Sequence, residues 1–363
     1  NTTLIQGIET LVGSLNTDVI TLGVLGSTIT LSWIDSLYGS ASTDVVTLST
    51  TGNTLFVLGV DTLSAGLNTD VVTLANAGST ITLSGIETLV GGQNTDAVTL
   101  GPAGSTTQIV GVETLYGGTG ADFVTLTGQG STMLVGQIDT LLGGQNTEVV
   151  TLSDAGNTML IRALETVYGG QNTDVVTLGA QGNTSVFQSV EAVSASTNTD
   201  VITLGSAGST MTASGLDSLY GGANTDIVTL GGAGSTLSIQ GLESLYGTGQ
   251  EFVTLGNAGS TMLASGIETL LGGDGTEVIT LGSAGNNILV RSLESLYGGT
   301  GNDTVSLGGR GNTTLIQGIE TLVGSLNTDI ITLGALGSTV TLSRIDSLYA
   351  SASTDVVTLS TTG

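Results

Sequence analysis

The side chains of this 363-residue chain that could do chemistry are almost all carboxylates: 30 Asp and Glu stand against four Arg, with no Lys, His or Cys. Fourteen of the acids mark one place in a recurring segment of the type TDVVTL, at Asp18, Asp44, Asp70, Asp96, Asp122, Glu148, Asp174, Asp200, Asp226, Glu251, Glu277, Asp303, Asp329 and Asp355. Every step between them is 26 residues except one of 25, from Asp226 to Glu251. A second acidic series runs Glu9, Asp35, Asp61, Glu87 and so on to Asp346. Ligands that are oxygen only, without imidazole or thiolate, suit a hard cation such as Ca²⁺. The same inventory argues against an enzyme, because catalysis needs one distinct constellation of perturbed groups. Here the acids repeat uniformly, and Arg162, Arg291, Arg310 and Arg344 lie in different repeats.

If the fourteen acids stack in one column about 5 Å apart, neighbours repel by about 1 kcal/mol in water, or about 3 at an effective dielectric of 20. Four arginines cannot neutralise this. Two readings follow: at least some turns hold calcium or another divalent ion, or each Asp caps its own turn through Asx-type bonds and stays solvated. For the Glu9-to-Asp346 series a solvated or locally hydrogen-bonded corner is expected. A formal charge of −26 argues against a nucleic-acid partner. No run of about 18 apolar residues is present to span a bilayer as a helix.

The elements that must position the acids are read from the period. Within residues 79–104, three alternating apolar stretches are separated by glycine turns: Thr80-Ile81-Thr82-Leu83, Ile86-Glu87-Thr88-Leu89 and Asp96-Ala97-Val98-Thr99-Leu100. Period-two alternation marks half-buried strands. Across the repeats the Val98 column holds only Val or Ile and the Leu100 column only Leu. These two, with Leu83, Ile86 and Leu89, are the expected core, and Ile81 is a looser column. One repeat buries too little to offset the ordering of its backbone, so repeats must stack. The expected fold is all-β, one continuous parallel β-solenoid over 1–363, right-handed like most parallel crossovers. It is expected to have 14 coils of 26 residues, with three short strands per coil. At about 4.8 Å per coil this is a rod of roughly 65 Å. Residues 1–52 recur at 312–363 with five differences, a 311-residue super-repeat. A segment of a longer array, or a protomer that stacks end to end on copies of itself, is the expectation.

Some turns carry a fuller motif: Gly117-Gly118-Thr119-Gly120-Ala121-Asp122-Phe123-Val124, Gly298-Gly299-Thr300-Gly301-Asn302-Asp303-Thr304-Val305 and, approximately, Gly272-Gly273-Asp274-Gly275-Thr276-Glu277. These resemble the nonapeptide of the haemolysin-type, or RTX, calcium-binding β-roll family. The Ile-Glu-Thr-Leu element looks like segments flanking such rolls in very large bacterial surface proteins. The resemblance implies calcium held in the turns by the aspartate and backbone carbonyls, export by a type I system and folding outside the cell. Most other turns depart from the motif and read Gly-Gly-x-Asn-Thr-Asp, as at Gly91 to Asp96, and the 26-residue period departs from two nine-residue halves.

Two other patterns bear on function. Thr occupies 13 of 14 places in each of the Thr73 and Thr80 columns, but a Thr-x-Thr pair occurs at the second only at Thr28/Thr30, Thr80/Thr82, Thr210/Thr212 and Thr339/Thr341. Ordinary hydroxyl ladders on strands are favoured over an ice-binding face. All seven tyrosines, Tyr38, Tyr116, Tyr168, Tyr220, Tyr246, Tyr297 and Tyr349, share one column before the turn glycines. Packing over the turn is favoured there over a sugar-stacking stripe. Trp33, which becomes Arg344 in the recurring segment, reads as surface variation. Together these features lead to an expectation of a structural rod or fibre outside a bacterial cell, as a surface filament, S-layer or matrix component, or adhesin shaft. The alternative is a carbohydrate- or ice-binding module.

Overall fold

A computed structural model describes residues 1–232 and 234–360 in two compact units, Asn1–Gly179 and Ala180–Gly363. Among the described residues all regular structure is β-strand. Each repeat supplies three strands, represented by Thr80–Ser84, Thr88–Val90 and Ala97–Leu100. Thr80–Ser84 pairs in parallel with Ala97–Leu100, Ile81 opposite Val98, and with Thr62–Ser64, Leu83 opposite Leu63. Thr88–Val90 pairs instead with Val71–Leu74 and Thr106–Val110. Each strand therefore pairs with the next but one in sequence, and each unit is a parallel β-solenoid of two facing sheets with one strand of each per turn.

This corrects the expected coil. Two repeats supply six strands, and at two strands per turn these make three turns, so the 26-residue repeat is a turn and a half and one turn is about 17 residues. The fourteen repeats make about 21 turns, not 14 coils. The physical reason lies in the core. Two sheets about 10 Å apart bring their apolar faces into direct contact, whereas three strands around a coil of one whole repeat would enclose a wider space than six inward side chains fill.

The inward columns fill that contact. Val98, Leu100, Leu83, Ile86 and Leu89 are buried as expected, and Ile81 is buried equally well. The Ile81 column varies in type without leaving the core: it holds all four methionines, Met133, Met159, Met211 and Met262, whose flexible side chains adapt to irregular gaps. The same column buries Thr107, whose Oγ1 has no hydrogen-bond partner.

Three corners shape each repeat, one of them at the left-handed Gly78, φ +79°. At Gly91 an added Cβ would stand 1.7 Å from the Gly111 carbonyl oxygen, so the corner closes backbone on backbone. The corner before Ile86 turns on a left-handed residue, Gly85 at φ +67°. Six equivalent positions place a side-chain-bearing residue in this strained region: Trp33, Gln137, Ala163, Ser189, Ser292 and Arg344. Trp33 and its counterpart Arg344 thus share a backbone demand, and their exposed side chains are free to differ.

Candidate functional site: acid relays at the turns

The turn-and-a-half repeat decides where the acids go. Asp70 and Asp122 precede strands of one sheet, whereas Asp44 begins and Asp96 precedes strands of the other. Successive members of the Asp18-to-Asp355 series within a unit therefore alternate between opposite edges. Same-edge members lie two repeats and three turns apart, about 14 Å at about 4.8 Å per turn. The expected single stack at about 5 Å does not form.

What forms is a three-residue relay over three turns. Asn53 donates its backbone N–H and its Nδ2 to Asp70 Oδ1, each at 2.7 Å, and Asp70 in turn donates its N–H to Glu87 Oε2 at 2.7 Å. Asn286, Asp303 and Glu320 repeat the pattern in the second unit, at 2.8, 2.8 and 2.7 Å, as do Asn312, Asp329 and Asp346. Where the first member is Ser the first link is reduced or absent: the N–H of Ser209 donates to Asp226 Oδ1 and that of Ser338 to Asp355 Oδ1, each at 2.8 Å, whereas the Oδ1 atoms of Asp44, Asp96 and Asp122, one turn after Ser27, Ser79 and Ser105, accept no hydrogen bond. In many turns the central acid also closes its own turn, as where Gly92 donates to Asp96 Oδ2 at 2.6 Å and Gly118 to Asp122 Oδ2 at 2.7 Å, but Asp70 Oδ2 and both carboxylate oxygens of Glu277 have no such partner. In the turn shortened by one residue, Glu251 performs this closure by accepting from Gly249 at 2.7 Å.

The central carboxylates are therefore buried rather than solvated, and most of them act as caps. Asp44, Asp70, Asp96, Asp174, Asp200, Asp226, Glu277, Asp303 and Asp329 are 0% exposed, while their relay partners Asp61, Glu87 and Glu113 are exposed or half-buried. In the second acidic series, acids from Asp35 to Asp346 accept the N–H of the buried acid one turn before, as the local corner reading expected. The member that sequence reasoning missed is the first. Its signal was present: the Ser79 column holds only Asn or Ser in all fourteen repeats, always one turn before the acid, as Ser79 stands to Asp96.

Burial without a counter-cation has an electrostatic consequence. Desolvation pushes Glu148 and Glu277 up to about 7, and the adjacent carboxyls of Glu165 and Glu294 push in the same direction by hydrogen bonding and repulsion. Desolvation also raises Asp122, Asp226 and Glu251. Asp18 goes the other way, held far below the usual carboxylate range by hydrogen bonds from the Ser14 backbone and Asn1. The Asn1 ammonium, 3.2 Å from Asp18, forms the one ion pair among the described residues.

The donor set can be tested against calcium. Each relay brings two carboxylates within one turn, and Asp44 Oδ1, Asp70 Oδ2, Asp96 Oδ1 and Asp122 Oδ1 are buried without a hydrogen-bond partner. Among the described residues no three His, Cys, Asp or Glu side chains converge. Calcium takes six to eight oxygens, so it fits only as an ion shared by a carboxylate pair and completed by water or carbonyls, not as one held in an all-carboxylate cage.

The outer faces carry the remaining candidates. The tyrosine column divides between sheets: in the first unit Tyr38 lies on one sheet and Tyr116 and Tyr168 on the other, and in the second Tyr220 is opposite in sheet to Tyr246, Tyr297 and Tyr349. Their rings face outward, with Tyr116 36% and Tyr246 38% exposed, so they are not buried over the turns. The Tyr116 ring reaches over Gly136, with Cδ1 2.9 Å from where a Cβ would stand. The Thr ranks are interrupted, Thr80 being opposite Ala97 and Thr28 opposite Val45, so these pairs do not build a flat hydroxyl lattice. No protein-family model, no curated protein and no solved structure matches this chain.

Proposed function

We propose that the chain is a structural, non-catalytic component of an assembly outside a bacterial cell, such as a surface filament, layer or adhesin shaft, exported by a type I route. One observation carries the reading: the same pair of a buried acid and an outer acid that accepts its N–H one turn on recurs repeat after repeat in both units. A site that does chemistry differs from its surroundings, whereas a repeated cap stabilises a repeated turn. Calcium belongs to the same proposal as a weak ligand of the acid pairs, for instance Asp96 with Glu113, in the millimolar class of extracellular modules.

The location is tested by antibody labelling of intact source cells. Label that appears only after permeabilisation would overturn it. The calcium part is tested by thermal unfolding followed by circular dichroism, with millimolar Ca²⁺ or with chelator at matched ionic strength. A higher midpoint with Ca²⁺ is expected, and equal midpoints would remove the ion from the proposal.

A further inference from the structure

In the middle of the first unit the repeat departs from its own pattern in three ways at once. Of the thirty acids, two belong to neither recurring series, Asp154 and Asp274. Gly136 is the one glycine at its place in the repeat, where the other copies carry Ser, Leu, Val, Arg or Gln. Tyr38, Tyr220, Tyr246 and Tyr297 each face a side chain in the next strand of their sheet, Leu58, Gln240, Ser265 and Gln317, whereas Tyr116 faces Gly136.

Strand pairing brings these departures together. Thr114–Tyr116, Thr132–Gly136, Val149–Leu152 and Thr166–Tyr168 are consecutive strands of one sheet, and a groove of about 410 Å³ crosses their C-terminal ends. Tyr116 stands at one end of the groove and Gln171, three turns on, at the other, with Leu134, Thr151, Ser153 and Asp154 between them. The missing side chain shapes it: a Cβ on Gly136 would stand 2.4 Å from Ser153 Oγ and 2.9 Å from Tyr116 Cδ1, so only glycine lets the ring lean in over the hydroxyl. Asp274, the other unpatterned acid, follows the strand Thr269–Leu271, which ends without a tyrosine.

The polar groups of the groove have capacity to spare. Ser153 is 7% exposed, and its Oγ has no hydrogen-bond partner, which is costly for a buried hydroxyl until one arrives. Asp154 accepts the Gln171 N–H through Oδ1 at 3.1 Å, while its Oδ2 and the Gln171 side-chain amide face no recorded partner. A sugar ring matches this set, since it offers a patch of C–H groups on one face and hydroxyls around its edge. The sugar is neutral, because Asp154 and a formal charge of −26 repel an acidic one. We infer that the groove binds a neutral sugar ring, its apolar face on Tyr116 and its hydroxyls on Ser153, Asp154 and Gln171.

The inference goes beyond the structural reading and does not depend on it. Saturation-transfer difference NMR of the chain with the methyl glycosides of glucose, galactose, mannose and N-acetylglucosamine should show transfer to at least one of them, strongest at the ring C–H protons. Tyr116→Ala and Asp154→Ala should each weaken that sugar by roughly tenfold or more in dissociation constant, with an unchanged β-sheet spectrum, since both side chains are exposed. Tyr246→Ala, at the same place in the repeat but in the second unit, should bind as the unaltered chain does. Transfer to none of the four sugars, or transfer that survives both groove variants, would overturn the inference. Transfer to tetramethylammonium alone would overturn it too, by making the groove a cation site.

Discussion

Replacing Gln137 or Ala163 by Gly should stabilise the first unit. Both residues hold the left-handed corner, at φ 57° and 53°, and both side chains are exposed, so the substitution removes no core contact. The Gln137 N–H that reaches Asn157 Oδ1 at 3.2 Å belongs to the backbone and is retained. Left-handed geometry costs a residue with a Cβ about 1–2 kcal/mol, and glycine's greater freedom in the unfolded chain returns about 0.5–1 kcal/mol of that. The net gain is about 0.5–1 kcal/mol per site. The two sites are one repeat, a turn and a half, apart and therefore on opposite edges, so the gains should add. A global melting midpoint understates them, since a repeat structure can open locally. The suitable assay is native-state hydrogen exchange of the flanking strands, Thr132–Gly136 and Thr158–Arg162, where protection should rise by roughly threefold per site. The converse change, Gly85→Ala, should lower protection, because the added Cβ meets the Ala65 carbonyl oxygen at 3.0 Å besides taking on the strain. Unchanged or reduced protection in both glycine variants would refute the reading that these corners store backbone strain.

Gly298→Ala should cost far more than Gly85→Ala, since its Cβ would lie 1.7 Å from the Gly318 carbonyl oxygen; loss of protection in the turns on both sides, measured by the same exchange, is the check. Thr107→Val should stabilise by about 1 kcal/mol in denaturant unfolding, because a buried hydroxyl without a partner is exchanged for a methyl group of like size. Glu148 and Glu277 make stability depend on pH. Between the ordinary glutamate value of 4.5 and about 7 the folded chain binds more protons than the unfolded one, so stability should fall as pH rises through that window. Melting at pH 5 and pH 8 should show the higher midpoint at pH 5, and Glu148→Gln with Glu277→Gln should narrow the gap; a gap that persists in the double variant would place its origin elsewhere.

Much of the site was legible in one dimension. The regular recurrence marks both acid series, and the invariance of the Val98 and Leu100 columns gives the inward faces, because a core position tolerates few side chains while an outer one tolerates many. The Asn or Ser of the Ser79 column was equally visible as a two-letter alphabet, but its meaning depends on which turn lies above which. That is a pairing question. Strands this short carry a period-two pattern and no information on how many of them complete a turn, so one repeat could be read as one coil.

Local order along the chain suffices to establish a stacked, all-β repeat with an apolar core, glycine corners and regularly placed acids, since period, alternation and composition depend on nothing else. That a repeat is a turn and a half follows instead from strand pairing. Pairing each strand with the next but one sends successive acids to opposite edges and sets Asn53, Asp70 and Glu87 in line. It also turns the central carboxylate inward as a buried cap, because the turn N–H groups left unpaired by the strands need an acceptor there and water is excluded.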